Sequence, residues 1–327
     1  MQKFFVIIVI SAVGLILAAI VQGQEQGEGN APVANGALIS ASTTMTTAWD
    51  LPKNPLVDSL PYDRNVAEQI RWGFRLFTNT PLEAPQFTPN KMSCSNCHLN
   101  AGQREKALPL VGVAGAFPEY NKRAGRLFSL EDRIVGCFAR SQNATGSTDG
   151  STSGDGEGGV PSTSSKEVLA ISAYIAWLSQ GHETWGNIPW RGQNVISQDK
   201  LIPVGKLDTS RGGALFKEKC GSCHGEDGQG VAIGDKMAGP LWGPHSWNDG
   251  AGAARIYTLA GMIRYTMPYL NPGSLTDEEA QLIAAYINAK PRPEFPHKEK
   301  DYLAGSVPPD AVYYQSTREE KKKGQAH

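Results

Sequence analysis

Two short motifs in this chain have the residue types and spacing for a specific chemistry. Cys94-Ser95-Asn96-Cys97-His98 and Cys220-Gly221-Ser222-Cys223-His224 both read C-x-x-C-H. One helical turn at that spacing presents two thiols to the two vinyl groups of a porphyrin. The adjacent imidazole then falls under the iron as an axial ligand. The pattern therefore predicts two covalently bound haem c groups. One chance match has odds on the order of one in a thousand, and two matches make coincidence negligible. A zinc knuckle would need four ligands gathered in space, and a thioredoxin-like pair would need a βαβ setting. Neither motif is flanked by strand alternation.

The segments that must position these motifs repeat. Val66 to Phe77 places Ile70, Phe74 and Phe77 at helical spacing, with Gly73 allowing close packing. Ser210 to Lys219 gives a shorter helix with Gly213 and Phe216. After the first motif, Ser165 starts a helix with Ile171, Tyr174, Ile175 and Leu178 on one stripe. After the second, Thr276 and Glu279 form a capping box ahead of Ala280, Ile283, Ala284 and Ile287. A glycine-bearing helix crossing a later amphipathic one, with haem between, resembles the class I cytochrome c fold. The expected fold class is all-α, two class I cytochrome c-like domains in tandem. In that fold a proline carbonyl orients the haem histidine, a role that falls here to Pro109 and Pro240.

The second axial ligand decides whether a haem carries electrons or does chemistry. In the second domain Met267, followed by Pro268, stands where class I cytochromes place their distal methionine. Met237 and Met262 are competitors, and Met262 sits in a helical run with Leu259 and Ile263 that suits core filling. The first domain has no methionine between His98 and its Gly/Ser-rich stretch, but it has the fifth cysteine, Cys137. A free cysteine is often simply buried. Ser129, however, caps a helix whose core stripe is Leu130, Ile134 and Phe138, and Arg133, Cys137, Arg140 and Ser141 form the neighbouring stripe. A thiol between two guanidiniums suits iron better than an apolar core, because positive neighbours favour the metal-binding thiolate. Some of these arginines also suit haem propionates.

A chain of 327 residues, 40% hydrophobic and 19% charged, can build two cores. Its formal net charge of −1 argues against a nucleic-acid partner. Residues 1–23 have Lys3, an apolar run from Phe4 to Val21 and small residues up to Gly23, and read as a signal peptide or a retained N-terminal membrane anchor. Both readings export the rest of the chain. Residues 24–52 form a flexible linker, 53–187 the first cytochrome domain, 188–208 a linker that wraps through Trp190, 209–292 the second domain, and 293–327 a polar tail ending in Lys321-Lys322-Lys323. The Gly/Ser/Thr-rich stretch Gln142 to Ser164 reads as a surface loop.

From Cys94 through His98-Leu99-Asn100-Ala101-Gly102, Pro109 to Val113, Leu130 to Ile134, and Cys137-Phe138-Ala139-Arg140-Ser141, the sequence resembles the dihaem thiosulfate dehydrogenases. These periplasmic cytochromes join two thiosulfate ions into tetrathionate, and some members favour the reverse reaction. The resemblance covers roughly Pro52 to Lys290. It implies His98 and Cys137 as ligands of an active-site haem, and His224 and Met267 as ligands of an electron-transfer haem. It also implies Arg123, Arg133 and Ser141 as the lining of the substrate pocket, Cys137 as the residue that bonds substrate sulfur, and a periplasmic or membrane-bound acceptor such as another cytochrome c. Some relatives carry a lysine beside the distal methionine, where Thr266 stands here. Two other readings remain open, an electron carrier with no substrate of its own and a Sox-type dihaem subunit.

Overall fold

The computed structural model describes residues 53–144, 159–185, 188, 190–233, 236–303 and 307–314. The apolar N-terminus, the first linker, the middle of the Gly/Ser-rich stretch and the lysine end lie outside the described residues. Among those described, no helix is long and apolar enough to cross a membrane.

The first domain is built on α1 (Arg64–Thr78), α2 (Leu130–Arg140) and α3 (Lys166–Leu178). Helix α1 starts on Asp63, which accepts from the Asn65 amide, and buries Ile70, Phe74 and Phe77. It crosses α3 at Gly73, where a Cβ would stand 1.9 Å from the Ala170 carbonyl oxygen. Only glycine lets the two backbones approach so closely. Phe74 meets Tyr174 edge to face at 5.5 Å, and the buried Tyr174 hydroxyl donates to Ala101 O at 2.8 Å. Ser129 and Asp132 close a capping box at the start of α2, which buries Leu130, Ile134 and Phe138.

The second domain repeats the crossing with α4 (Thr209–Lys219), α5 (Ile256–Thr266) and α6 (Asp277–Asn288). Here the close approach falls one residue earlier than expected. A Cβ on Gly212 would lie 2.1 Å from Leu282 O, whereas one on Gly213 would meet only the Tyr286 ring, at 2.9 Å. The register is set by Phe216, which must reach the core four residues on from Gly212. The Thr276–Glu279 capping box forms as expected.

Among the described residues, two small antiparallel strand pairs accompany the helices: β1 (Glu119–Asn121) with β2 (Arg126–Phe128), and β3 (Ala232–Ile233) with β4 (Lys236–Met237). Asn121 Oδ1 accepts from the Arg123 and Ala124 amides, which makes the first turn and leaves Arg123 at its tip. The stretch 188–208 wraps: Trp190 and Ile196 are buried, and Asn194 O lies where a Cβ on Gly261 of α5 would stand, 2.0 Å away.

One expectation needs correction. In the polar tail, residues 293–303 and 307–314 are packed rather than free. Phe295 is buried in the first core, Asp301 pairs with Arg140, and Asp310 pairs with Arg255 at 2.8 Å. The aromatic residues Phe295, Tyr302 and Tyr314 give this Pro-rich, charged segment enough apolar surface to dock. The Gly/Ser-rich stretch is anchored at its ends, with Gln142, Ala144 and Val160 all buried.

Gly73→Ala and Gly212→Ala should each cost about 3 kcal/mol, read as a lower melting temperature. Gly205→Ala, whose Cβ would meet nothing within 4 Å, should stay within about 0.5 kcal/mol of wild type. Arg126 and the Ser129 cap hold the Asp132 carboxyl below its ordinary value of 3.8. A depressed carboxylate stabilises the fold above its ordinary value and loses that contribution as pH falls through the lower folded value. Asp132→Asn should therefore melt earlier than wild type at neutral pH, and the gap should narrow as pH falls below 3.8.

Candidate functional site

The first motif is held by backbone turns and one buried threonine. Ser93 N donates to Asn96 Oδ1 at 2.7 Å and His98 N to Cys94 O at 3.0 Å, so both thiols and the imidazole project from one turn. Thr80, fully buried, accepts from Cys94 N at 3.3 Å and touches Cys94 Sγ at 3.7 Å. Burial pushes the Cys94 thiol up to about 12 and the Cys97 thiol up to about 11. His98 packs against Phe77 at 5.9 Å and uses Nδ1 on Leu108 O at 2.6 Å, which leaves Nε2 for a metal. Burial lowers the basicity of this ring.

The orienting carbonyl is not that of Pro109, as expected, but of the residue before it. The second motif repeats this, with His224 Nδ1 3.5 Å from Gly239 O rather than facing Pro240. Leu108 has φ 53° and Gly239 φ 77°. A left-handed residue ahead of the proline turns its own carbonyl toward the ring, and in the first domain a leucine bears that strain.

Cys137 is two-thirds of the way along α2, and its thiol shares a pocket with Cys94 and Cys97 closely enough for each to feel its charge. Burial pushes the Cys137 thiol up, while Arg133, Arg140 and Arg123 pull it down. The guanidiniums expected to favour the thiolate are therefore present, but among protein atoms alone desolvation outweighs them. Arg133 Nη2 pairs with Glu119 at 3.3 Å, and Glu119 also takes Arg191 at 3.1 Å. Arg123, from the hairpin tip, donates to Gly250 O and lies 5.5 Å over the Tyr302 ring. Arg140 donates to both oxygens of Asp301. Ser141 caps the end of α2, its amide on Cys137 O at 2.7 Å and its carbonyl taking Asn90 Nδ2 at 2.8 Å. Arg123, Arg133 and Arg140 thus act on the Cys137 thiol through their charge, whereas Ser141 is tied to Cys137 only through the backbone. Sequence reading missed Glu119, Gly250, Asp301, Tyr302 and Tyr314, which hold the arginines. No local spacing announces residues so distant along the chain.

In the second domain, Cys220 to His224 forms a helical turn, with His224 N on Cys220 O at 2.9 Å. Burial pushes the Cys220 thiol up to about 11 and lowers His224 basicity. Met267 ends α5 packed against the second core, whereas Met237 is 54% exposed and Met262 is half-buried on α5. The two motifs lie close together. Met92 is buried in the second core, Asn96 Nδ2 donates to Met237 O at 3.4 Å, and Arg104 donates to Tyr269 O at 3.0 Å while stacking 4.4 Å over that ring.

Among the described residues, the buried side-chain polar atoms without a protein partner include Arg104 Nη1, Trp247 Nε1 and Arg292 Nη1, beside both amide atoms of Asn100 and Oδ1 of Asn288, and the Arg292 guanidinium lies 4.9 Å over Trp247. Donors of this kind are rarely orphaned. They fit the carboxylates of a haem, as the paired thiols fit its vinyl carbons and each free Nε2 its iron.

Comparison with known proteins agrees with this geometry. Residues 84–184 match the model of the SoxA/TsdA cytochrome c domain, and residues 207–287 that of cytochrome c oxidase, cbb3-type, subunit III. The chain is similar to a thiosulfate dehydrogenase of Stutzerimonas stutzeri, 32% identical over 96% of this chain and 92% of that one. It is also 35% identical to a thiosulfate dehydrogenase of Allochromatium vinosum, over 80% of this chain and 91% of the relative. Among solved structures it resembles thiosulfate dehydrogenase (TsdBA) from Marichromatium purpuratum, with TM-score 0.67 and 34% identity, covering 82% of this chain and 54% of that one. Two cytochrome c domains in tandem carry two covalently bound haem c groups. Pyridine haemochrome analysis should give two haems per chain. A Cys94→Ser/Cys97→Ser variant and a Cys220→Ser/Cys223→Ser variant should each give one.

Proposed function

This chain belongs to the thiosulfate dehydrogenase family, and from that membership and the pocket around Cys137 we propose that it joins two thiosulfate ions into tetrathionate. The supporting observation is the gathering of Arg123, Arg133 and Arg140 around one buried sulfur. Thiosulfate is a dianion. Two of them about 6 Å apart repel by roughly 10 kcal/mol at an effective dielectric near 20. Guanidiniums offset this, and their planar donors match sulfonate-like oxygens.

We assign Cys94, Cys97 and Cys220, Cys223 to haem attachment, His98 and Cys137 to the iron of the active-site haem, and His224 and Met267 to that of the electron-transfer haem. When bound, the haems supply one-electron acceptors and a metal that favours the thiolate of Cys137. Arg123 and Arg133 hold the oxyanion end of the first thiosulfate, and the Ser141 hydroxyl adds a donor without adding charge. Cys137 Sγ bonds the sulfane sulfur as two electrons leave, giving a cysteine–thiosulfate adduct with an S–S bond. The second thiosulfate attacks that sulfane sulfur through its own. The Cys137–sulfur bond breaks, tetrathionate departs, and the thiolate is restored. Run backwards, the same residues cleave tetrathionate. We place the enzyme in the periplasm, delivering electrons to another cytochrome c, soluble or membrane-bound.

The assay is tetrathionate formation by the isolated protein with an artificial electron acceptor. Cys137→Gly should keep two haems per chain and lose at least about a thousandfold in turnover. Full activity in that variant would rule the mechanism out. A wild-type protein that reduces only redox partners would be the electron carrier, and one needing a partner cytochrome and a sulfur carrier would be the Sox-type subunit.

A further inference from the structure

Arg140 leaves α2 just beyond Cys137 and ends in a buried pair. Nη2 meets Asp301 Oδ1 at 2.8 Å and Nη1 meets Oδ2 at 2.8 Å. The side chains of Arg140 and Asp301 are only 19% and 4% exposed. Asp301 Oδ2 also accepts the Tyr314 hydroxyl at 2.5 Å. The guanidinium face of Arg140 lies 3.9 Å over Phe295. Its Nη1 reaches Gly250 O at 3.2 Å, the same carbonyl that takes Arg123. Arg123 in turn stacks on Tyr302, the residue after Asp301, and Tyr302 N donates to the Arg123 carbonyl at 2.7 Å.

Two guanidiniums brought to one carbonyl oxygen repel each other. A buried carboxylate beside them offsets that repulsion and, being bidentate, fixes the plane of Arg140. An exposed pair would do neither well. Arg123 instead rests on a carbonyl and a ring, which leaves its charge free for an anion.

We propose that Asp301 is a positioning residue for the oxyanion pocket: by clamping Arg140 and carrying Tyr302 against Arg123, it fixes both guanidiniums beside the Cys137 sulfur. The inference rests on reading that pocket as the thiosulfate site. Residues 295–303 then form one wall of the pocket rather than an appendage to the second domain.

The test uses the haem-loaded full chain with Asp301→Asn, Asp301→Glu and Tyr302→Leu. Haem content, the ferric low-spin spectrum, and kcat and KM for thiosulfate with an artificial acceptor are measured together. Asp301→Asn should raise KM about tenfold while kcat stays within about threefold and both haems remain with unchanged spectra. Asp301→Glu should recover part of the loss. Should Asp301→Asn fail to fold, Tyr302→Leu carries the same expectation of a raised KM. An Asp301→Asn protein with two haems and wild-type KM would overturn the proposal while leaving the enzyme reading intact. Lost haem with KM unchanged in all three variants would mark a purely structural residue and overturn it too. A wild-type protein inert toward thiosulfate would remove the enzyme reading and this inference together, and is distinguished by needing no variant.

Discussion

A desolvated sulfur surrounded by guanidiniums is the arrangement on which the first domain depends. Arg140 and Arg123 give up water near Cys137 and have specific replacements, Asp301 for Arg140 and Gly250 O with the Tyr302 ring for Arg123, while the half-exposed Arg133 keeps its water beside Glu119. Those partners come from a hairpin, a loop of the second domain and the far end of the chain. The local architecture around the first haem motif makes sense as scaffolding for charges that would otherwise fly apart. Glu119 also ties in Arg191 from the segment that joins the domains, so even the connection shares in holding Arg133.

The sequence was most informative where chemistry is local. The C-x-x-C-H turns, the Ser129 and Thr276 caps and the stripes on α1, α2, α3 and α6 depend on neighbours within a few residues, and their spacing records them. It was less informative by one position at Gly212 and at the carbonyls of Leu108 and Gly239. There a choice between adjacent residues is decided by backbone geometry in three dimensions. It was misleading for residues 293–314, because proline and charge outweigh the four aromatic side chains, Phe295, Tyr302, Tyr313 and Tyr314, in composition although the aromatics decide docking. For Cys137, the arginines at helical spacing signalled an unusual thiol. The depth of its burial, which reverses the net effect of the protein atoms, belongs to tertiary packing.

The two domains meet at the segments nearest their haem motifs. Asn96 lies between the first pair of attachment cysteines and reaches the Met237 carbonyl, two residues before the carbonyl that orients His224. Arg104, just past the first motif, grips the Tyr269 backbone two residues beyond Met267. Short covalent and hydrogen-bonded paths therefore connect the surroundings of one motif to both faces of the other. Met92, sunk in the second core, resists any hinge between them.

The placement of Asp301 has a consequence for biogenesis. Synthesis runs from the N-terminus, so both attachment motifs emerge before the residues that hold Arg140 and Arg123. A nascent chain ending short of Phe295 already holds all four attachment cysteines while Arg140 still lacks the Asp301 carboxylate. A chain cut short there would keep both haem motifs and lose the carboxylate that holds Arg140.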